Sequence, residues 1–275
     1  MKTEAVTSGN NPKIKELLAL GYKSRTRREK GLFPVEGLRE VGRCLGAGFR
    51  ARTLFRCPDI LGDRDFAPIA ASALKGNPDC TCVEVTPQVY DKIAYRGGTE
   101  GLIAEVEWKD RTLDDISFKD PGAPLVVVLE NVQKPGNLGA VLRSADAAGA
   151  DAVLLCDSAC DIYNPNVVRA SIGAIFTVPT VQLTNEEALF WLRGNGLKVY
   201  TAQLQDSVPY YDSDMASGTA IVMGAEDTGL SQFWRRAADR HILIPMLGVE
   251  DSLNVSVSTA ILLYEAVRQR LVKDR

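Results

Sequence analysis

The stretch Ile244-Pro245-Met246-Leu247-Gly248-Val249-Glu250-Asp251-Ser252-Leu253-Asn254-Val255-Ser256-Val257-Ser258 predicts a strand, a loop and a helix. The strand is the short apolar run 241–245, the loop carries Gly248 and two acids, and the helix continues to about residue 271. Ser252 or Asn254 can cap this helix, because a side-chain oxygen at the cap accepts from backbone N–H groups that lack helical partners. We expect functional residues at this turn.

The start of this last helix is apolar on every side. Its apolar residues leave no continuous polar face before Glu265; they are Leu253, Val255, Val257, Ile261, Leu262 and Leu263. A helix of this kind is buried. We therefore predict that a second copy of the chain covers it in a homodimer, the alternative being a helix deep in the core of a single chain.

Two earlier stretches have the same order of strand, glycine-bearing polar loop and helix. They are residues 125–148, with a helix expected from about Leu138, and residues 220–237. The strands are short apolar runs, as is usual for strands of a buried parallel sheet. Loops at the carboxyl ends of such strands form the ligand crevice of open α/β sheets. The three stretches together therefore predict one ligand site.

Residues in these stretches match the motifs of a known family in content and order. The matching sets are Asn137, Gly139 and Arg143, then Gly224, Glu226, Gly229, Leu230 and Ser231, and finally Ile244, Pro245 and Met246 with Ser252, Leu253, Asn254, Val255 and Ser256. Over residues 123–275 the chain resembles the SpoU (TrmH-like) family of RNA ribose methyltransferases, part of the SPOUT superfamily. The resemblance implies an α/β fold with a C-terminal trefoil-knotted parallel-sheet domain, although chains rarely thread loops.

The resemblance implies transfer of a methyl group from S-adenosylmethionine to a ribose 2′-oxygen of structured RNA, with ribosomal RNA as the expected substrate. The alternatives are a tRNA ribose methyltransferase and a non-catalytic RNA-binding or assembly protein that keeps the fold. A nucleotide-dependent enzyme is disfavoured, because no G-x-G-x-x-G or Walker A sequence is present. The cofactor residues implied are Gly224, Ile244, Met246 and Leu253. Taken singly, Gly224 is better explained as a turn glycine and Leu253 as a core residue.

Arg143 matches the catalytic arginine of the family. A guanidinium keeps its proton and is a poor general base, so we expect Arg143 to hold a phosphate and stabilise charge on the 2′-oxygen. Proton acceptance by a desolvated Arg143 and a surface ion pair with Asp146 are the alternatives. The resemblance implies a polar shell around Arg143 and the ribose, made of Asn137, Glu226, Ser252 and Asn254. Glu226 could equally be an acid near a helix N-terminus, where the helix dipole favours it, and Ser252 and Asn254 could be helix caps.

The positive charge of the chain is concentrated before residue 109. The net charge is −3, but residues 1–108 carry 17 Lys and Arg against 14 Asp and Glu. The densest cluster comprises Lys23, Arg25, Arg27, Arg28 and Lys30. Such a cluster can contact phosphates, and a solvated surface loop is the alternative. Arg169 and Ser171 resemble a family segment that lies near the substrate.

The chain divides into two predicted domains and a linker. Residues 1–108 predict a small α/β unit that resembles the ribosomal-protein-like substrate-binding domain of several family members, on layout and on Phe33-Pro34-Val35-Glu36-Gly37. Residues 109–123 are charged, contain Pro and Gly, and predict a linker. Residues 124–275 predict the methyltransferase domain with about six parallel strands, one of them at 174–179.

Composition excludes several classes of protein. The N-terminal residues lack the layout of a signal peptide, and no apolar run approaches the roughly 20 residues of a membrane span, so we expect a cytoplasmic protein. Six cysteines with no C-x-x-C pair, together with one histidine, His241, predict reduced thiols and no metal site.

Overall fold

The computed structural model describes residues 1–95 and 100–273. Contacts divide the chain into two units. The first unit combines Met1–Lys109 with Asp161–Thr177, and the second combines Asp110–Cys160 with Val178–Arg275. The predicted domain boundaries at 108 and 124 stay a prediction. The first unit includes the segment Asp161–Thr177 from the middle of the chain.

The elements alternate between strand and helix along much of the chain. The strands are β1 (Lys2–Val6), β2 (Leu32–Glu36), β3 (Ala51–Arg56), β4 (Thr81–Val85), β5 (Leu102–Glu107), β6 (Leu125–Glu130), β7 (Ala152–Cys156), β8 (Thr180–Leu183), β9 (Lys198–Ala202), β10 (Val208–Pro209), β11 (Thr219–Met223) and β12 (Arg240–Leu243). The helices are α1 (Pro12–Tyr22), α2 (Ser24–Lys30), α3 (Leu38–Gly46), α4 (Asp63–Gly76), α5 (Pro87–Ile93), α6 (Pro135–Ala147), α7 (Pro165–Ala170), α8 (Ala174–Thr177), α9 (Asn185–Gly194), α10 (Gln232–Ala237) and α11 (Val255–Lys273).

The first unit is built on a mixed sheet in the order β1-β4-β3-β5-β2. β4 is parallel to β1 and β3, whereas β5 is antiparallel to β3 and β2. The alternation of these strands with helices confirms the predicted α/β class. Strand β1 and helix α4 were not predicted from the sequence. β1 exposes four of its five residues and α4 buries Ala73 alone, so neither has a strong apolar pattern.

An aromatic cluster and the buried ion pair between Arg27 and Asp161 hold the segment Asp161–Thr177 in the first unit. The rings of Phe33 and Tyr163 stack with centroids 4.1 Å apart, and Phe33 also stacks on Phe176 at 6.1 Å.

The predicted strand at 174–179 is wrong, because residues 174–177 form α8 and β8 begins at Thr180. Apolar residues in a short buried helix resemble a buried strand in sequence.

The second unit is built on a parallel sheet in the order β10-β12-β9-β11-β6-β7-β8. Each of its neighbouring pairs is parallel, so the prediction of a parallel sheet is confirmed. Two of its strands, β8 and the two-residue β10, were not among the predicted strands. The core strands β6, β7 and β11 are buried at every position. Parallel strands end on the same edge of a sheet, so the loops after β6, β11 and β12 can meet.

The predicted linker packs on the second unit. Leu113, Ile116 and Phe118 contact the core cluster that contains Val126 and Trp234. A one-turn 3₁₀ helix at Leu113–Asp115 begins with a capping box formed by Thr112 and Asp115. These apolar contacts explain why the second unit begins at Asp110.

Helix α11 is tied to the second unit along one face, while part of its apolar surface is exposed. Its residues Leu262 and Leu263 are fully buried, and Arg270 donates to the carbonyl oxygens of Pro124 and Ser217 at 3.1 Å each. Leu253 is 41% exposed and Val257 is 47% exposed. The alternative in which the core of a single chain buries this helix start on every side is therefore wrong, and the homodimer stays a prediction.

Among the described residues, the structure contains no helix that is both long and apolar enough to cross a membrane.

Candidate functional site

The loop after β11 turns back sharply on itself. The amide of Gly229 donates to the carbonyl of Ala225 at 2.9 Å, and Gly229 has a φ of +65°. A Cβ at Gly224 would lie 2.3 Å from the carbonyl carbon of Gly229 and 2.5 Å from the amide nitrogen of Leu230. Backbone atoms cannot yield like a flexible side chain, so the turn requires glycine at 224.

This loop brings Glu226 to residues of the other two motifs. The side-chain amides of Asn137 in α6 and of Asn254, just before α11, donate to Oε1 of Glu226, the second at 3.3 Å. Asn254 also donates to Oδ1 of Asn137 at 3.2 Å. Lys134 pairs with Oε2 of Glu226. Each of the three predicted motifs therefore supplies one member of a hydrogen-bonded cluster, Asn137, Glu226 and Asn254, which we call the motif cluster.

Asn254 also caps α11, as one of the two predicted alternatives. Its Oδ1 accepts from the backbone amide of Ser256 at 3.0 Å and from the Ser256 hydroxyl at 2.6 Å. This fixes the orientation of the carboxamide, so its nitrogen is directed to Asn137 and Glu226. Ser252 lies outside the motif cluster, and its hydroxyl donates to Oδ1 of Asp251 at 3.1 Å.

A buried carboxylate that was not predicted from the sequence supports the loop after β11 from below. Glu130, the last residue of β6, is 5% exposed and accepts from the amide of Ser231 at 2.7 Å and from Nδ2 of Asn185 at 3.0 Å. Asn185 in turn accepts from the indole of Trp234 at 2.5 Å. The acid at the end of an apolar strand was a visible signal for Glu130, whereas nothing local singles out Asn185.

A second acid joins this support. Nδ2 of Asn185 also donates to Oδ2 of Asp157, the residue after β7, at 2.5 Å. Partial burial raises the pKa of Asp157, and the negative charges of Glu186 and Glu130 add to the effect. Asp157 and Asn131 both have positive φ, at 51° and 53°, so the chain turns sharply after both β7 and β6.

The loops after β9, β11 and β12, together with Lys134 from the loop after β6, line a cleft of about 720 Å³. The predicted cofactor residues all line it: Gly224, Ile244, Met246 and Leu253. Glu226, Asn254 and Ser252 line it as well, together with Lys134, which the sequence analysis did not name. A cleft of this volume, lined by both polar and apolar side chains, is large enough for a small molecule.

Arg143 lies in α6 beyond this lining. It is exposed, and among the residues that the structure describes it makes no ion pair, including none with Asp146. Six residues of helix separate it from Asn137, so the two side chains project about 120° apart around the axis. Arg143 is thus a surface cation on the helix that supplies Asn137 to the motif cluster.

The residues predicted to contact RNA differ in their exposure to solvent. Lys23, Arg25, Arg28, Lys30 and Arg169 are exposed. Arg27 is 2% exposed and pairs with Asp161, and Ser171 is fully buried, with its hydroxyl donating to the carbonyl of Val168 at 2.9 Å. The basic cluster forms the helix α2 instead of a loop, which turns Arg27 inward. In this structure Arg27 and Ser171 are not offered to RNA.

Within residues 1–95 and 100–273, no group of acidic, His and Cys side chains is arranged to hold a metal ion, and the six cysteines are free and buried.

Two family models match the chain. The SpoU rRNA Methylase family matches residues 124–264, and the MRM3-like substrate binding domain matches residues 11–104. The first match spans all three motifs and the elements that carry the cleft.

Named proteins match over much of the chain. The 23S rRNA (guanosine-2′-O-)-methyltransferase RlmB of Pseudomonas syringae pv. tomato is 38% identical over 65% of this chain and 74% of its own length. The 23S rRNA (uridine(2479)-2′-O)-methyltransferase of Streptomyces viridochromogenes is 28% identical over 96% of this chain and 92% of its own. The crystal structure of an AdoMet-bound rRNA methyltransferase from Sinorhizobium meliloti superposes with a TM-score of 0.86 at 31% identity, covering 97% of this chain and 98% of that one.

Proposed function

The chain belongs to the SpoU rRNA methylase family, and we infer from this premise that it is an RNA methyltransferase that moves a methyl group from S-adenosylmethionine to a ribose 2′-oxygen. The expected substrate is ribosomal RNA, which the names of its relatives specify. The observation that carries the inference is the motif cluster, in which Asn137, Glu226 and Asn254 meet although up to 117 residues separate them in the chain. A protein that had kept the fold for binding alone would not need these three polar groups together.

The cleft fits the cofactor. S-adenosylmethionine supplies an activated methyl group on a sulfonium. We assign Ile244, Met246 and Leu253 as apolar walls for its adenine, and Gly224 as the residue that lets the loop backbone close up beside it. The volume of about 720 Å³ lies within the roughly 300–1,000 Å³ of small-molecule sites.

Arg143 is the residue that we assign to the reacting oxygen. Its charge is not neutralised by a described partner, so it is available to a phosphate beside the target ribose and to negative charge on the 2′-oxygen. Positioned charge of this kind is usually the largest single contribution to such a reaction. We assign Asn137, Glu226, Ser252 and Asn254 to orienting the ribose, with the methyl acceptor held in line for displacement.

The first unit is assigned to RNA binding. Its match to a substrate binding domain supports this role, and so do the exposed cations Lys23, Arg25, Arg28, Lys30 and Arg169. Family membership supports two further proposals, a trefoil knot in the second unit and a homodimer. Since the relatives named here modify bacterial ribosomal RNA, we propose that the protein acts in the cytoplasm.

Two measurements test the function. Calorimetry should detect binding of S-adenosylmethionine and no binding of ATP or NAD. Ribosomal RNA incubated with the protein and labelled cofactor should gain a 2′-O-methyl group at one nucleotide, which primer extension at low deoxynucleotide concentration maps. Methylation of tRNA in place of ribosomal RNA would move the enzyme to the tRNA-modifying alternative, and cofactor binding without transfer to either RNA would favour the assembly-protein alternative.

A further inference from the structure

The first unit contains a cavity that the methyl-transfer site does not use. Its volume is about 230 Å³, and it lies between the end of α1, the turn at Gly37 and the helix α7. This is less than the roughly 300–1,000 Å³ of sites for drug-sized ligands. A cavity of this size accepts one planar ring system.

The cavity has an apolar floor and an aromatic rim. Pro34, Ile103 and Val168 are part of the floor. At the rim, the ring of Tyr22 lies 6.4 Å from the ring of Tyr95 with an interplanar angle of 36°. Tyr22 is 70% exposed. An exposed aromatic ring above an apolar slot is the usual platform for an unstacked nucleobase.

Tyr95 is held in place before any ligand arrives. Its backbone amide donates to Oε2 of Glu36 at 2.9 Å, and its hydroxyl accepts from Nδ2 of Asn166 at 2.9 Å. The guanidinium carbon of Arg169 lies 5.5 Å from the centre of its ring. A fixed ring loses little conformational entropy on binding, and the cation beside it suits the phosphates of a nucleic acid.

The wall at Gly37 carries two carboxylates that converge on one point. A Cβ at Gly37 would lie 2.6 Å from Oε2 of Glu40 and 3.2 Å from Oε2 of Glu100. Glu100 accepts from the backbone amide of Leu38 at 2.5 Å, at the start of α3. The side chain of Glu40 is 12% exposed, and its Oε1 accepts from Arg39 at 3.1 Å. Glycine at this position leaves room for the Glu40 carboxylate to face the cavity.

We propose that this cavity binds a single unpaired guanine base of the RNA substrate, with the base stacked at Tyr22 and Tyr95 and its edge read by Glu40. A carboxylate accepts and does not donate, so it selects a base with two adjacent donors. Guanine presents its ring N1–H and its amino group side by side. Adenine and cytosine present one amino donor beside an acceptor, and uracil presents one N–H between two carbonyl groups.

The cations at the mouth fit the same occupant. Arg39 and Arg169 line the cavity and are exposed, so they can contact the phosphates on either side of the inserted base. This proposal rests on the proposed function, because that function makes RNA the ligand of the first unit. The guanine pocket adds a base-specific contact away from the reacting ribose. Binding of this guanine would help to select which nucleotide of the RNA is methylated.

The test uses the full-length protein and three fluorescein-labelled RNA pentamers that differ at the central base. The sequences are UUGUU, UUAUU and UUIUU, where I is inosine, which lacks the amino group of guanosine. Fluorescence anisotropy at one low salt concentration measures the three dissociation constants. We expect the guanine pentamer to bind about tenfold more tightly than the other two, the scale for one unpaired donor or acceptor.

Variants assign the contacts. Glu40→Gln should bring the affinities of the guanine and inosine pentamers to within about twofold of each other. Tyr22→Ala should weaken all three complexes by about tenfold, the scale for loss of one base-stacking ring. Phe190→Ala is the matched control, because Phe190 is an aromatic residue of the second unit and is 83% exposed. It should leave all three dissociation constants unchanged.

Equal affinities for the three pentamers, a preference for adenine, or no binding at the highest protein concentration would overturn the guanine pocket. Calorimetry with S-adenosylmethionine and methyl transfer to ribosomal RNA are measured on the same preparations. Methyl transfer without base preference would leave the proposed function and remove the pocket. Base preference without cofactor binding would leave the pocket and remove the proposed function.

Discussion

Arg143 is the exposed cation to which we assign charge stabilisation at the 2′-oxygen. If the assignment is right, Arg143→Ala should keep cofactor affinity and melting temperature while lowering the single-turnover rate of methyl transfer by roughly 10²–10³-fold, the scale for loss of one preorganised charge stabiliser. Arg236→Ala is the control, because Arg236 is another exposed arginine of the second unit. An Arg143→Ala protein that transfers methyl at the parental rate would move the assignment to Glu226 or Asn254.

Replacement by lysine tests the geometry of the same contact. A lysine supplies a point charge without the planar fork of arginine. Partial recovery of the rate in Arg143→Lys would indicate charge stabilisation, and no recovery would indicate bidentate positioning of phosphate and ribose. The readout is again the single-turnover rate at saturating cofactor.

Arg27 has a structural role that its neighbours in the basic cluster lack. Its Nε donates to Asp161 at 2.8 Å and its Nη1 donates to the carbonyl of Leu20 at 2.5 Å, all within the interior of the first unit. Arg27→Ala leaves a buried carboxylate without its partner, so we expect it to lower the free energy of unfolding by about 3–5 kcal/mol.

The matched control is Arg25→Ala, because the Arg25 side chain is 88% exposed and pairs with Glu29 at the surface. It should change stability little and instead weaken RNA binding and reduce its salt dependence. Urea unfolding measures the first effect and an RNA titration at several salt concentrations measures the second. Equal stability of the two variants would contradict the buried role of Arg27.

Glu105 makes the stability of the protein depend on pH. Burial raises its pKa to about 7, even though Arg52 lies 3.6 Å away and opposes the shift. A raised pKa means that the folded state favours the protonated form. Stability is therefore greatest below about pH 4.5 and falls as the pH rises through 7, by about 3 kcal/mol if other groups are equal.

Glu105→Gln should remove this part of the pH dependence and raise the free energy of unfolding at pH 8. Glu107→Gln, on the same strand, is the control, because the Glu107 side chain is 41% exposed and pairs with Arg50 at the surface. Urea unfolding at pH 5 and pH 8 measures both variants. A parental pH slope that persists in Glu105→Gln would assign the dependence to another group.

At the scale of elements, the loop after β11 controls the cleft. Gly224→Ala would place a methyl group against the backbone of Gly229 and Leu230, so the loop must move and Glu226 must move with it. We expect affinity for S-adenosylmethionine to fall at least tenfold, as measured by calorimetry. Gly194→Ala is the control, since a Cβ there meets no atom within 4 Å. Unchanged affinity in Gly224→Ala would separate the loop from the cofactor.

Hydrogen bonds from separate helices and strands support this loop from below. Glu130 ends β6, Asn185 begins α9 and Ser231 precedes α10, and their hydrogen bonds join three parts of the second unit beneath one turn. The loop can therefore keep a tight conformation without a large apolar core of its own. Fixed loops are what a site needs when catalysis depends on positioning.

At the scale of the whole molecule, the exposed apolar surface of α11 is unusual for a monomer. Val257 is 47% exposed, Tyr264 is 51% exposed and Leu271 is 62% exposed. We expect light scattering to give a particle of about twice 29.9 kDa. Val257→Glu should shift the protein towards monomer, because burying a charge in an apolar interface is costly. Phe190→Glu should leave the dimer intact, and a parental monomer at micromolar concentration would contradict the proposal.

Some structural features of this protein can be predicted from its sequence alone, and others follow only from its tertiary structure. Apolar runs such as 125–129 and 220–223 determined the parallel strands, because strands buried on both faces need apolar side chains throughout. The spacing of Asn137, Glu226 and Asn254 within matched motifs determined which residues to place in one site. These signals are local, so they could be found without coordinates.

Other features depended on contacts between distant parts of the chain. The arginine of a basic cluster became a buried ion-pair partner because Asp161 lies opposite it, 134 residues away. The segment 161–177 joined the first unit through Phe33 and Tyr163, and Asn185 came to support a loop that begins 39 residues later. No periodicity or motif records such pairings, because burial and partnership are properties of what packs against a residue and not of the residue itself.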